Sequence, residues 1–410
     1  MLVFLFCFLL LPQTLFAIGP AEGFVSTLTF PISVEHDLEV PTIQNPCECV
    51  LAVAYTSGTT GLPKGVELTH YSFMANLITG RWAFPWDESD VVLLPTPITH
   101  GSGLTLVTIS VLLGSTCVIA TPKSNLQEVS EAVEKHKVTA AFLLPWHLQF
   151  LVGEMQRTGR RLKGLRRVGT GGSPLSRTQY EVAKEAFGGT LECLANVYGM
   201  TEAMGVVCSP SMEGAVGNDI GFPAPLSQIK IVDRATGEKL GPNKTGEICF
   251  RAPMVMKGYY KRPKETAEFF DEEGWCQSGD AGYYAEDGRI HFVQRFKEMI
   301  KCMDNQVVPA ELEELLLDAH SSAILDVCVF GMPNPDYVEA PAAAVVLRDK
   351  GSTKDLAKLA SELKSTIAGN CAIHKHLYGG VYFLDSLPKT ESGKTNRTAV
   401  RDNCASISPM

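Results

Sequence analysis

Short apolar runs that alternate with amphipathic stretches are the feature of this sequence that most restricts its fold. The runs have the length and composition of buried strands, whereas the stretches place apolar side chains at helical spacing. The strand-like runs are 91–95, 115–120, 140–144 and 167–169, and the helix-like stretches are 125–136 and 177–187. Because parallel strands are joined by crossovers that usually contain a helix, this order predicts an α/β fold with a mostly parallel sheet.

Two other regions have different patterns. The apolar run 50–55 enters a loop rich in glycine and threonine, and 71–80 then has helical character, which predicts a strand, loop and helix unit. From 229 to 251 apolar and polar residues alternate between turn signals, which predicts a smaller antiparallel β region.

A small α+β unit is predicted beyond a charged cluster at 294–297, where the strand-like run 290–293 gives way to another strand at 298–302. Its helices are predicted at 309–319 and 354–367, and its further strands at 327–330 and 342–347. Since 410 residues exceed the usual size of one domain, we divide the chain into a large domain at 49–294 and a C-terminal domain at 295–402.

Charge and cysteine usage exclude some classes of protein. The formal net charge of -9 argues against a nucleic-acid-binding protein, because such proteins present basic surfaces. The 12 cysteines are scattered and have none of the paired spacings of zinc sites. We therefore predict free, mostly buried thiols and no structural metal.

The first 17 residues are a short apolar run that ends in a small residue, as the core of a secretory signal peptide does. The run is short for a membrane span, no Lys or Arg precedes it, and the unbalanced cysteines do not suit a secreted protein. A signal peptide and another kind of apolar leader both stay open. Residues 18–48 resemble a linker or a displaced strand, and the ending Ile407-Ser-Pro-Met410 is not a peroxisomal signal.

The motif with the strongest chemical content is Ser57-Gly-Thr-Thr-Gly61-Leu-Pro-Lys64-Gly65. Its glycines and hydroxyl side chains let backbone N–H groups and O–H groups converge on a polyphosphate, and Lys64 supplies positive charge. The spacing is not that of a Walker A loop, because the glycines are too close together and Gly65 follows the lysine. Nine consecutive residues of this kind predict a phosphate-binding loop.

This loop resembles the phosphate loop of the adenylate-forming superfamily, which includes acyl-CoA synthetases, 4-coumarate-CoA ligases, firefly-type luciferases and non-ribosomal adenylation domains. Further segments resemble that family's motifs in the family's order, and together the likeness extends from about residue 48 to residue 397. These segments are 96–103, 169–175, 196–202, 275–280 and 388–394.

The resemblance implies a role for individual residues. The expected ATP site contains Thr56, Ser57, Gly58, Thr59, Thr60, Gly61, Lys64, Gly171, Tyr198, Gly199, Thr201, Asp280 and Arg295. Tyr198 is expected against adenine, Thr201 on phosphate, and Asp280 with Arg295 on the ribose. Glu202 is the expected Mg²⁺ ligand, Lys297 the interdomain hinge, and Lys394 and His100 the catalytic residues. Taken alone, His100 would be a packed or surface histidine, and Arg295 and Lys297 would be surface charges.

The implied activity is that of an ATP-dependent ligase, which activates a fatty or aryl carboxylic acid as its acyl adenylate and transfers it to coenzyme A. The resemblance also implies Mg²⁺, small-molecule partners, no need for a membrane, and an intracellular location. It implies a large multi-layer α/β adenylation domain with a small antiparallel region, plus a mobile α+β C-terminal domain. The alternatives are a truncated, non-catalytic nucleotide-binding relative or gene-model fragment, and a luciferase-like oxygenase.

The sequence departs from the family pattern in several places. Family members normally carry a long segment before the phosphate loop, so we expect the large domain to be incomplete at its N-terminus, with unpaired sheet edges and exposed apolar faces. Gln294 stands where ligases usually have Asp, and glycine is usual at the positions of Val197, Asp304 and Val338. Asp304 adds a side chain and a negative charge beside the path of an anionic cofactor, which we expect to hinder thioester formation.

Overall fold

The computed structural model describes residues 16–17, 25–26, 42–56, 63–84, 86–98, 100–121, 124–175, 177–210, 219–349, 355–390 and 393–410. The chain forms two compact units, Met1–Pro46 and Cys47–Met410. In the first unit, strands β1 (Phe16–Ala17) and β2 (Val25–Ser26) pair in parallel. Most of the predicted leader and linker lies outside the described residues. No described helix combines the length and the apolar character that a membrane span requires.

The second unit contains all the other described elements. Its strands are β3 (Val50–Tyr55), β4 (Gly65–Thr69), β5 (Val91–Leu94), β6 (Thr116–Ile119), β7 (Ala140–Phe142), β8 (Arg167–Gly171), β9 (Cys193–Met200), β10 (Gly205–Ser209), β11 (Phe222–Pro223), β12 (Gln228–Val232), β13 (Gly246–Arg251), β14 (Gly258–Tyr259), β15 (Cys276–Tyr284), β16 (Ile290–Arg295), β17 (Ile300–Cys302), β18 (Asn305–Val307), β19 (Ile324–Asn334), β20 (Val338–Leu347) and β21 (Gly380–Phe383). Its helices are α1 (His70–Ala83), α2 (Gly101–Leu113), α3 (Leu126–His136), α4 (Pro145–Thr158), α5 (Arg177–Phe187), α6 (Pro263–Phe269), α7 (Pro309–His320), α8 (Leu356–Asn370) and α9 (Arg397–Ala405).

The predicted parallel sheet is confirmed. Its order is β11-β10-β9-β8-β7-β5-β6, and the strands from β9 to β6 are all parallel to one another. Successive side chains of β5 point to opposite faces, so Val92 and Leu94 join the core beneath α1 and α2 while Leu93 joins the core beneath α3, α4 and α5. Helices therefore cover both faces, as a buried parallel sheet requires.

Two helices of this layer do not follow from the sequence pattern. Helix α2 is apolar on all sides, so it has no contrast between a buried and a polar face. Helix α4 begins at Pro145, and Leu144 before it gives the helix no side-chain cap. The only sequence signal for the start of α4 is therefore the proline at its first position.

The predicted strand, loop and helix unit near the phosphate loop is wrong in one respect. Strand β4 lies between the loop and α1, pairs antiparallel with β3, and belongs with β14 to a separate three-stranded sheet. Val66 and Leu68 are fully buried on β4, and Thr69 directly after them caps α1. The strand is so short and so close to the helix that the two apolar side chains look like the first turn of the helix.

The antiparallel region and the C-terminal unit are confirmed. Strands β12, β13, β15 and β16 form a four-stranded antiparallel sheet. The C-terminal region contains a five-stranded sheet and the helices α7, α8 and α9. The long strand β20 pairs antiparallel with β17 and β19 and parallel with β21. The predicted strand at 298–302 begins only at Ile300, because residues 296–298 form a 3₁₀ turn. Helix α8 begins at Leu356, and the predicted start at Lys354 lies outside the described residues.

Exposed apolar faces were expected in the large domain and are present. On α1 the exposed side chains Tyr71, Met74, Ile78 and Trp82 form a stripe at helical spacing. The buried face of the same helix mixes apolar side chains with small polar ones. Within the described part of the chain, β3 and β6 are edge strands.

Candidate active site

The predicted site residues gather at the C-terminal ends of the parallel strands, which is where open α/β sheets bind ligands. His100 follows β5, Gly171 ends β8, and Tyr198 and Gly199 lie near the end of β9. Strands β15 and β16 and a hairpin from the C-terminal region close the same space. The structure therefore brings residues from five separate motifs together.

The phosphate loop is described only at its two ends. Ser57, Gly58, Thr59, Thr60 and Gly61 lie outside the described residues. The backbone N–H of Lys64 donates to Oγ1 of Thr56 at 3.0 Å, and the N–H of Thr56 donates to the carbonyl of Lys64 at 2.9 Å. These two bonds join the two described ends of the loop.

Tyr259 is a site residue that the sequence did not reveal. Its Oη donates to Oε1 of Glu202 at 2.7 Å, and the ammonium of Lys64 lies 4.4 Å from the centroid of its ring. Burial raises the pKa of Tyr259, and the negative charge of Glu202 raises it further. Tyr259 thus links the phosphate-loop lysine to the expected Mg²⁺ ligand. Its partners are far away in sequence, so no local spacing could have identified it.

The donor set suits Mg²⁺ of the kind that nucleotides carry. Within the described residues no group of three or more His, Cys, Asp or Glu side chains could hold a metal ion by itself. Mg²⁺ is usually bound by one or two carboxylates together with substrate phosphates and water. Glu202 lies on the 3₁₀ turn Thr201–Ala203 next to Tyr259, and it fits the single-carboxylate role.

Asp280 is the centre of a buried hydrogen-bonded cluster. Its Oδ2 accepts from Oη of Tyr198 at 2.7 Å, and its Oδ1 accepts from Nε of Arg295 at 2.9 Å. Asp280 and Arg295 face each other across β15 and β16, and Asp280 is 1% exposed. Burial and the neighbouring Asp280 carboxylate raise the pKa of Tyr198 well above its ordinary value. Each carboxylate oxygen keeps a second lone pair, so Asp280 can still accept hydroxyl groups.

His100 is the N-cap of α2, a structural role that the sequence did not predict. The N–H of Ser102 donates to its Nδ1 at 3.2 Å, and Oγ of Ser102 lies 2.6 Å from the same atom. Since Nδ1 accepts from the backbone, we assign the proton of the neutral ring to Nε2. Burial lowers the pKa of His100, and the positive charge of Lys394 lowers it further.

Lys394 enters the site on a hairpin of the C-terminal region, the lysine hairpin, whose described residues are 388–390 and 393–396. A Cβ added at Gly172 would lie 3.8 Å from Cε of Lys394, so the side chain reaches the end of β8. Burial lowers the pKa of Lys394, as does the charge of Arg295, while Asp280 and other carboxylates partly offset the change. The structure thus places the two predicted catalytic residues, Lys394 and His100, near each other.

The predicted hinge lies beside a charged network that the sequence did not reveal. Lys297 is exposed on the 3₁₀ turn, and the next residue, Glu298, accepts from Nε2 of Gln294 at 2.7 Å and from Nε of Arg397 at 3.4 Å. Arg397 also donates both terminal nitrogens to Glu313 of α7. Gln294 therefore has a definite partner, since an amide donates to Glu298 where a carboxylate would repel it.

The other departures from the family pattern also have structural consequences. Val197 is buried, and a Cβ at Gly171 would lie 2.9 Å from its Cγ2, so Val197 narrows the space at the end of β8. Asp304 has φ 57° in the turn between β17 and β18, and Val338 has φ 69° at the start of β20. Both adopt the left-handed conformation that glycine prefers.

Comparisons with known proteins identify the family of this chain. Residues 21–260 match the family model of AMP-binding enzymes, and residues 311–394 match that of the AMP-binding enzyme C-terminal domain. A luciferin 4-monooxygenase of Nipponoluciola cruciata is 35% identical over 87% of this chain and 64% of its own length. A 4-coumarate-CoA ligase of Pinus taeda is 34% identical over 94% of this chain and 71% of its own length.

A solved structure is also similar. The crystal structure of ATP-bound MatB from Rhodopseudomonas palustris superposes with a TM-score of 0.79 at 26% identity, over 89% of this chain and 70% of that one. The chain thus spans about two thirds of the length of the proteins it resembles. Its sequence matches and its fold agree, and the chain belongs to the AMP-binding enzyme family of the adenylate-forming superfamily.

Proposed function

We propose that this protein uses ATP to activate a carboxylic acid as its acyl adenylate and then transfers the acyl group to coenzyme A. The observation that carries the proposal is the meeting of Lys394 with His100 and the Asp280 cluster in one partly buried site. These residues come from distant parts of the chain, and a purely structural hairpin would have no reason to place a lysine there. The substrate class we propose is a fatty or aromatic acid.

Nucleotide recognition is assigned to the elements of the large domain. Asp280 accepts the ribose hydroxyls through its remaining lone pairs, and Arg295 holds that carboxylate in place. Tyr198 presents its ring beside them for the adenine. Lys64 and the hydroxyl of Thr201 are assigned to the phosphates, and Glu202 to Mg²⁺, which neutralises phosphate charge when bound.

Acid activation needs positive charge at the α-phosphate. A carboxylate oxygen of the acid forms a bond to the α-phosphorus, the bond to the leaving pyrophosphate breaks, and negative charge builds up between them. We assign Lys394 and the Nε2–H of His100 to that charge, because a preorganised cation and donor stabilise it without reorganisation. The depressed pKa of Lys394 returns toward its ordinary value once anionic substrate is present, because the bound charge favours the ammonium form.

The second step is assigned to a rotated arrangement of the C-terminal region. The thiol of coenzyme A attacks the acyl carbonyl, AMP leaves, and a thioester forms. Lys297 is the hinge of that rotation in this proposal, and the turn at Asp304 faces the path of the thiol.

The proposal is tested by acid-dependent exchange of pyrophosphate into ATP, measured on purified full-length protein with a panel of fatty and aromatic acids. Exchange that depends on one class of acid supports adenylation, and thioester formation with coenzyme A supports the second step. Absence of exchange across the whole panel, with ATP still bound, would instead favour a non-catalytic nucleotide-binding protein.

Luciferase-like oxygenation is the second candidate, because a luciferin 4-monooxygenase is among the similar sequences. Light emission on addition of luciferin, ATP and oxygen would favour it. Both candidates share the adenylation step, so the exchange assay comes first.

A further inference from the structure

The lysine hairpin packs against an aromatic side chain of the large domain, Trp146 at the start of α4. A Cβ added at Gly393 would overlap Nε1 of Trp146 and lie 2.5 Å from its Cδ1 and 2.6 Å from its Cε2. Gly393 also has φ 79°, a conformation that residues with a side chain rarely adopt. The hairpin backbone therefore lies directly on the five-membered ring of the indole.

We propose that Trp146 is the packing surface on which the lysine hairpin docks and that it positions Lys394 for the adenylation step. Trp146 does not contact the reacting atoms in this proposal and acts only through Gly393. The kinetic part of the inference rests on the proposed function, whereas the structural part does not.

The indole ring is itself fixed by a neighbouring side chain. It stacks on His147, with ring centroids 5.2 Å apart and an interplanar angle of 23°. His147 is buried, and its Nε2 lies 2.8 Å from the carbonyl oxygen of Ser124. A ring fixed in this way forms a defined surface before the hairpin arrives, which reduces the entropy cost of docking.

The interaction between the hairpin and the indole is one of packing. Within the described structure Nε1 of Trp146 is buried without a hydrogen-bond partner. The contact therefore depends on shape, and the absence of a side chain at Gly393 is the feature that permits it. A phenylalanine at position 146 would keep much of the surface, whereas alanine would remove it.

The hairpin transmits the position of Gly393 to Lys394 because it is internally bonded. The N–H of Gly393 donates to the carbonyl of Thr390 at 2.9 Å, and the N–H of Thr390 donates to the carbonyl of Lys394 at 2.8 Å. Beyond the turn, the N–H of Asn396 donates to the carbonyl of Pro388 at 2.9 Å. A shift at the indole would therefore move the lysine as well.

A second contact between the same regions is weaker support for the arrangement. Oγ1 of Thr178 on α5 donates to Oδ1 of Asp318 on α7 at 2.9 Å. This bond is exposed, so water competes with it. Trp146 is the better candidate for holding the hairpin in place.

The test compares Trp146→Ala and Trp146→Phe with wild type, with Trp82→Ala as the matched control. Trp82 is 66% exposed on α1 and takes no part in the proposed site. Two measurements are made on full-length protein: tryptic cleavage after Lys394, followed by mass spectrometry, and the rates of the two half-reactions. Adenylation is followed by pyrophosphate release, and thioester formation is followed from supplied acyl adenylate.

We expect Trp146→Ala to accelerate cleavage after Lys394 by about tenfold, with no change at tryptic sites outside the hairpin, because the hairpin loses its packing surface. Adenylation should slow by about 100-fold while thioester formation changes by less than about twofold, since misplacing a catalytic group costs the step that uses it. Trp146→Phe should lie between wild type and Trp146→Ala in both measurements.

Unchanged cleavage after Lys394 in Trp146→Ala, or an equal loss in both half-reactions, would overturn the proposal. If Trp146→Ala does not fold, the comparison of Trp146→Phe with wild type decides by the same criteria. If wild type activates no acid at all, the proposed function fails. The cleavage comparison then still decides whether the lysine hairpin packs on Trp146.

Discussion

The two ends of the candidate site are built in different ways. At the ribose end, Asp280 is hydrogen-bonded by Tyr198 and Arg295, and the three residues lie on β15, β9 and β16. At the acid end, Lys394 arrives on a hairpin from that later region and lies over Gly172. The difference implies that ATP binding and acid activation are separable, because damage to the hairpin should leave the ribose end intact.

The largest expected effect is that of Lys394→Ala, which breaks the acid end alone. We expect acid-dependent pyrophosphate exchange to fall by about 10³-fold, because a preorganised charge at the transition state is lost. The dissociation constant for ATP should change by less than about threefold, since the assigned ribose contacts remain. Exchange assays and titration of ATP by calorimetry measure the two quantities.

Lys389→Ala is the matched control for that experiment. Lys389 lies on the same hairpin but pairs with Asp326 and Thr395, away from the site. A Lys394→Ala protein with nearly normal exchange would exclude the assigned role. A large loss in Lys389→Ala would mean that the hairpin had been disturbed as a whole.

Asp280→Asn should damage the ribose end. The amide keeps the shape of the side chain but removes the charge beside Arg295, whose side chain is 36% exposed. We expect a loss of about 1–2 kcal/mol in the free energy of unfolding and a weakening of ATP binding by about 10- to 100-fold. Urea unfolding and ATP titration test this, with Asp271→Asn at the Lys230 ion pair as control. Unchanged ATP affinity would contradict the assignment of Asp280 to the ribose.

A smaller effect is expected at Val338, in the C-terminal region. A β-branched residue with φ 69° is strained, and Val338 is 63% exposed, so little packing offsets the strain. Val338→Gly should raise the free energy of unfolding by about 1 kcal/mol, and Val338→Ala by less, since alanine keeps the unfavourable φ. Denaturant unfolding measures both. A loss of stability in Val338→Gly would mean that the contacts of the valine outweigh its strain.

Periodicity and motif order predicted the parts of the molecule whose structure is determined by residues close together in sequence. The alternation of Val92, Leu93 and Leu94 between two cores is readable from the sequence, because strand geometry alone dictates it. The phosphate-loop motif is also contiguous in sequence, and it predicts that Lys64 supplies positive charge to a phosphate. Helix α2 was not predicted, since a helix that is apolar on every side has no readable period.

The contacts that assemble the site were not predictable, because each joins distant segments. Tyr259 and Glu202 are 57 positions apart, and nothing in the sequence around either residue predicts that they form a hydrogen bond. Trp146 and Gly393 belong to different regions of the fold, and only their packing connects them. Sequence motifs therefore predict which groups react, whereas the residues that contact those groups required the three-dimensional structure.

The smallest expected effect tests whether the charge of Lys394 acts on His100. Burial lowers the pKa of His100 below about 6.5, and Lys394 lowers it further. Removing Lys394 should therefore move the pKa of His100 upward but not to its ordinary value, because burial remains. His147 is the control, since burial lowers its pKa without a contribution from Lys394. NMR titration of both histidines in wild type and Lys394→Ala measures the shift.

The sign of the accompanying stability change follows from the same argument. Because folding holds His100 neutral, the unfolded chain binds a proton first as the pH falls below about 6.5. The contribution of His100 to stability is thus complete above that pH and is lost as the pH falls toward the lower folded value. His100→Asn keeps a side chain that can cap α2 and should flatten this part of the pH profile of unfolding. An unchanged profile would mean that His100 titrates normally and does not sense the lysine hairpin.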